Sequence, residues 1–158
     1  MPGTDVSLVV NSLPVTINVE PRRLLSDALR EELGLNGVHV GCEHGVCGTC
    51  TVLIDGKPQR SCLLFGVQME GARIETVESL GTAESLHPIQ KAFWEKHGLQ
   101  CGFCTPGILL TVKEFLERNP DPSEEEIRNA LAGNLCRCTG YMHIVAAVKR
   151  AAELIAQE

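Results

Sequence analysis

Two periodicities divide the chain. As far as residue 77 the apolar positions fall in short, β-branched runs around one helical stripe, and beyond residue 85 they recur at helical spacing throughout. Val6 to Val10 and Val15 to Val19 read as strands, with Asn11-Ser12-Leu13-Pro14 as the turn of an opening hairpin. Pro21 then introduces a stripe of Leu24, Leu25, Ala28, Leu29 and Leu33, and Gly34 suits a helix C′ position. A strand after Cys50, an Asp55-Gly56 turn and a return strand follow, and Arg73 to Val77 reads as the last strand. Glu78 to Ser85 is polar, contains Gly81 and reads as a link.

Pro88 opens a helix with Ile89, Phe93 and Trp94 expected on its packed side, ending at Gly98. Next, Thr105 is a good N-cap and Pro106 suits the first helical position of a run carrying Ile108, Leu109, Val112, Phe115 and Leu116. That run stops near Asn119-Pro120-Asp121-Pro122. Ser123-Glu124-Glu125-Glu126 is a capping box for a third helix with Ile127, Ala130 and Leu131, which closes at Gly133-Asn134. Thr139 sits just before the last apolar-periodic run, where a cap belongs, and a fourth helix runs from Tyr141 or Met142 and shows Ile144, Val145, Val148, Ala152 and Ile155. Four stripes on short connections make a small antiparallel bundle. Two strands followed by a covering helix begin a β-grasp sheet, so the expected class is α+β, with a sheet half at 1–80 and a four-helix-bundle half at 81–158.

Composition narrows the function classes. The 158 residues suffice for one domain or two small ones, and 44% hydrophobic content marks a globular chain. A formal charge of −6 with no basic run argues against nucleic acid, and 4% aromatic residues argue against base or sugar stacking. No run reaches the length of a transmembrane segment. Met1-Pro2-Gly3-Thr4-Asp5 lacks the basic start of a secretory signal, so a cytoplasmic, reducing location is expected. There, clustered cysteines bind metal more often than they form disulfides, so the eight are expected to be metal ligands rather than four disulfides.

The cysteines fall into two sets. In Gly41-Cys42-Glu43-His44-Gly45-Val46-Cys47-Gly48-Thr49-Cys50, the x4 and x2 spacings with a later Cys62 are those of a plant-type 2Fe-2S ferredoxin loop. Gly41, Gly45 and Gly48 are read as residues that let φ turn positive and aim N–H groups at sulfur, offsetting a dianionic cluster that becomes trianionic on reduction. A four-cysteine zinc site is the main rival, although zinc knuckles use two short Cys hairpins. The second set is Cys101 and Cys104, ahead of the Thr105 helix, with Cys136 and Cys138 ahead of the last one. Helix N-termini lower thiol pKa values and suit an anionic metal–thiolate centre; four buried structural cysteines are the alternative. His44 is expected to face solvent, and His39, His87, His97 and His143 have no paired ligand spacing, so all five histidines are expected to be incidental.

The plant-type loop, followed by Gln100-Cys101-Gly102-Phe103-Cys104-Thr105-Pro106-Gly107 and Gly133-Asn134-Leu135-Cys136-Arg137-Cys138-Thr139-Gly140-Tyr141, resembles the iron–sulfur subunit of the molybdenum hydroxylase family. The likeness spans roughly residues 5 to 150. It implies two 2Fe-2S clusters: Cys42, Cys47, Cys50 and Cys62 holding one near a flavin, and Cys101, Cys104, Cys136 and Cys138 holding one nearer molybdenum. It also implies that Gln100 hydrogen-bonds the molybdopterin of a large subunit, with Cys138 beside the pterin, and that FAD sits on a medium subunit. A dimer of heterotrimers is the expected assembly. Because the chain ends after the bundle, it looks like the separate small subunit of three-subunit members. Two departures stand out: Thr49 where Ala is usual, with a hydroxyl able to reach sulfur, and Met142-His143 in place of Gln-Asn.

The resemblance implies an electron relay inside a molybdenum-dependent oxidoreductase, with no residue of this chain acting as acid, base or nucleophile. Substrate would be oxidised in another chain, and electrons would leave singly through the bundle cluster and then the loop cluster. The rivals are a free-standing two-cluster ferredoxin and a zinc scaffold. A relay subunit is expected to expose apolar side chains around Gln100 and the last helix, where a free shuttle is not.

Overall fold

The computed structural model describes residues 2–157; Met1, part of the leader reading, and Glu158, at the end of the second half, lie outside the described residues. Strands β1 (Thr4–Val10) and β2 (Leu13–Val19) pair antiparallel, with Val10 opposite Leu13. Only Asn11 and Ser12 form the turn, at φ 49° and 69°. Two successive positive φ values make the tight hairpin turn that matches strand twist, so β2 starts at Leu13, earlier than the sequence suggests.

Helix α1 (Leu25–Glu31) begins after Leu24, which bridges to Phe65, while Leu25 N–H reaches the Leu64 carbonyl at 2.8 Å. That tie delays the helix past Pro21. Gly34 does take a left-handed φ of 69°, and Leu35 N–H returns to the Leu29 carbonyl. Strands β3 (Thr51–Ile54), β4 (Lys57–Arg60) and β5 (Arg73–Glu75) complete a sheet ordered β2-β1-β5-β3-β4. β5 runs parallel to β1 and antiparallel to β3, which makes the sheet mixed.

The second half contains α2 (Pro88–Glu95), α3 (Thr105–Arg118), α4 (Glu124–Ala130) and α5 (Met142–Ile155). α4 has the expected box: Glu126 N–H donates to Ser123 Oγ and Ser123 N–H to Glu126 Oε2. α5 lies against α2 and α4, burying Ile144, Ala147, Val148 and Ala151. Trp94 does not pack as expected. It is 75% exposed, because Phe93 beside it takes the inward position on α2.

β3 is the wall between the halves. Adjacent strand residues point to opposite faces, so Val52 enters the core beneath α1 while Leu53 enters the helical core. Each is fully buried, worth about 1.5–3 kcal/mol. Leu80, from the predicted link, is also buried in the helical core.

Candidate metal centres

The structure brings the eight cysteines together as two tetrads, each made of two close pairs. All are free thiols. In the first tetrad Cys42 lies against Cys47 and Cys50 against Cys62. In the second, Cys104 lies against Cys136, and the sulfurs of Cys101 and Cys138 are 3.4 Å apart. Each tetrad has an inner and an outer pair. Cys50 and Cys62 are buried in the sheet core, with Cys42 and Cys47 half-buried; Cys104 and Cys136 are half-buried, with Cys101 and Cys138 exposed.

Among the described residues, no group of three or more His, Cys, Asp or Glu side chains is set to hold a single metal ion. A tetrahedral zinc site asks four sulfurs to close on one point. A two-iron cage takes thiolates two to an iron, and a donor set already standing in pairs fits that cage.

The first loop owes its shape to its glycines and to what covers it. Gly45 and Gly48 have φ of 83° and 72°, as expected, whereas Gly41 is not among the positive-φ residues and Glu43, at 57°, takes that conformation instead. What Gly41 supplies is room: a Cβ there would lie 3.3 Å from Cys47 Sγ and 3.4 Å from the Phe103 ring. Backbone N–H groups of Cys47 and His44 hold the Cys42 thiol down at about 6. Burial, with the neighbouring Cys50 thiol, pushes Cys62 up to about 11. Thr49 is buried, and no hydrogen bond from its hydroxyl to sulfur is present among the described residues.

The second loop corrects several expectations. Cys104 itself occupies the cap position of α3, with helical φ and ψ of −83° and −14°, so Thr105 is already helical. Thr139 does not cap α5. Its hydroxyl donates to Cys136 Sγ at 3.2 Å and accepts from Tyr141 N–H at 3.1 Å. Tyr141, at φ 67°, precedes α5, so only the α3 terminus borders the cysteines directly. The thiols accordingly do not shift together. Burial and the nearby Cys136 thiol push Cys104 up to about 12, and Cys101 raises Cys138. The Phe103 N–H lowers Cys101; burial opposes a lowering of Cys136, but the Thr139 hydroxyl and local N–H groups outweigh it.

Contacts between the loops are the part that the sequence did not announce. Leu135 N–H donates to the Cys47 carbonyl at 2.8 Å, and Asn134 Nδ2, buried, to the Gly48 carbonyl at 3.1 Å. His39 stacks on Phe103 with ring centroids 4.8 Å apart, its Nδ1 2.7 Å from the Phe103 carbonyl oxygen. His39 is thus a strut between loops, and His87 caps α2 by accepting from Ile89 N–H; neither is incidental. Tyr141 Oη accepts from Cys136 N–H at 2.8 Å and donates to the Asn134 carbonyl at 3.0 Å. Gln100 is exposed beside Cys101, and Met142 and His143 are exposed at the start of α5.

Residues 8–80 match the family of 2Fe-2S iron-sulfur cluster binding domains, and residues 76–149 match a second 2Fe-2S binding domain family. The caffeine dehydrogenase subunit gamma of Pseudomonas sp. (strain CBB1) is 54% identical over 147 residues, covering 91% of this chain and 88% of the relative. The nicotine 6-hydroxylase small subunit of Paenarthrobacter nicotinovorans is 51% identical, covering 91% of this chain and 87% of the relative. A chain in the crystal structure of quinoline 2-oxidoreductase from Pseudomonas putida 86 superposes with a TM-score of 0.94 at 50% identity, over 98% of this chain and 97% of that one. The expectation of two iron–sulfur domains is met and the zinc scaffold is set aside. Identity this high over nearly the whole of both partners, on the same backbone, means that the chain belongs to the molybdenum hydroxylase family, among its iron–sulfur small subunits.

Proposed function

We propose that this chain, working in the cytoplasm, relays electrons from a molybdopterin-bearing large subunit to an FAD-bearing medium subunit. Two bound 2Fe-2S clusters would supply one-electron carriers. Cys42, Cys47, Cys50 and Cys62 would hold the exit cluster within the 1–80 half, and Cys101, Cys104, Cys136 and Cys138 the entry cluster within the 81–158 half. A dimer of heterotrimers is the assembly proposed.

The observation that carries this reading is the hydrogen bond from Leu135 N–H to the Cys47 carbonyl. It joins the residue before Cys136 directly to a cysteine of the other tetrad, so a short bonded path crosses the interface. Exposed Leu99, Phe103, Leu135 and Met142 flank the second tetrad in sequence, the apolar surface expected of a docked subunit rather than a free shuttle. Gln100, exposed beside Cys101, would contact the pterin, with Cys138 beside it. Among the described residues no helix is long and apolar enough to cross a membrane.

Purification of the chain from its native source should bring larger companion chains, and dithionite should develop two distinct paramagnetic signals. Cys101→Ser should abolish one signal and stop flavin-side turnover. Gln100→Ala should keep both signals but weaken assembly or slow electron exit. A colourless native preparation, or unchanged signals in Cys101→Ser, would sink the reading.

A further inference from the structure

Arg60, the last residue of β4, crosses the boundary between the two cysteine loops. Its Nη1 donates to Thr51 Oγ1 at 2.6 Å and its Nη2 to the Gly133 carbonyl at 2.6 Å. Nη2 also lies 3.1 Å from where a Gly48 Cβ would stand. Gly48 sits between Cys47 and Cys50, and Gly133 lies three residues before Cys136. The guanidinium is therefore wedged between the backbones that carry the tetrads.

Its partners are neutral oxygens, which leave its charge uncancelled. Lys113, another cation near this boundary, spends its charge on Glu75 at 3.3 Å and Glu117 at 2.8 Å. Arg137 is exposed and belongs to the second loop alone. An arginine stays protonated at any working pH, and its planar fork, held at two points, fixes where the charge sits.

We infer that Arg60 is a shared potential-setting residue, a positioned positive charge that favours the reduced form of both clusters at once. This rests on the reading that both tetrads hold 2Fe-2S clusters. Adding an electron makes either cluster more anionic, and a fixed cation near both stabilises that state in each. The Thr51 hydroxyl extends the effect: it donates to the Gly48 carbonyl at 2.5 Å, so the cation polarises a hydrogen bond that ends on the first loop.

The test is a redox titration of the cluster-loaded protein followed by electron paramagnetic resonance, beside thermal unfolding. Arg60→Gln should leave both signals present and make each cluster about fivefold less reduced at a fixed potential, ~40 mV at 59 mV per tenfold for one electron. Arg60→Met should do the same while keeping the aliphatic stem, which covers the case of a poorly folding Gln variant. Arg60→Lys should lose unfolding temperature yet hold both potentials near wild type. Unmoved potentials in either neutral variant, a shift confined to one cluster, or an Arg60→Lys shift as large as that of Arg60→Gln would each overturn the inference. Wild-type protein without two signals would overturn the cluster reading itself, and this one with it.

Discussion

The two cysteine tetrads solve one problem by different means. The first is nearly continuous: Cys42, Cys47 and Cys50 lie on one loop, Cys62 returns after a hairpin, and the inner pair belongs to the sheet core. The second is split between segments more than thirty residues apart, and its Cys101 and Cys138 stay exposed. A local loop can hold its own shape through glycine and N–H geometry. A split site has no shape until its helices pack, so the second depends on the first loop as a surface to build on.

Breaking that dependence should have the largest effect at Gly107. A Cβ there would lie 2.4 Å from the Gly48 carbonyl oxygen and 3.0 Å from that of Thr49, both of them backbone atoms that cannot swing aside. Gly107→Ala should cost about 1–3 kcal/mol in chemical denaturation and disturb both cluster signals. If only the second signal changes, the loops are not interlocked.

Asn134→Ala comes next. The side chain is 2% exposed, donates to the Gly48 carbonyl and accepts from the Thr111 hydroxyl at 3.2 Å. Its loss should cost about 1–3 kcal/mol, read as a lower denaturation midpoint, because it strips a buried contact. The first cluster should survive, since the Gly48 carbonyl keeps both donors from Thr51.

Tyr141→Phe should be milder, about 1 kcal/mol for a lost phenolic bridge, with a changed line shape at the second signal alone. An equal change at the first would mean that the tetrads are less separate than their construction implies.

How much of this the sequence shows follows from the same contrast. The first tetrad was legible because its information is local: x4 and x2 spacing, an Asp55-Gly56 turn, a later cysteine. The second was legible only as two motifs, and its fine structure was not. Capping rules favour Thr105 and Thr139, yet helical φ and ψ already begin at Cys104, and the Thr139 hydroxyl accepts from Tyr141 N–H ahead of α5 while donating to Cys136 Sγ. Trp94 was misplaced because it and Phe93 share the edge of one stripe, and only packing decides which turns inward. Arg60, His39 and Gly107 gave no signal, because each is defined by what it meets across the boundary.

The exposure of Cys101 and Cys138 sets an order for the maturation of the proposed complex. Iron and sulfide can reach that pair while the subunit stands alone, and a companion chain seated over Gln100 would seal the entrance. On the proposed reading, loading would come before docking, and a subunit captured too early would be locked into its complex empty.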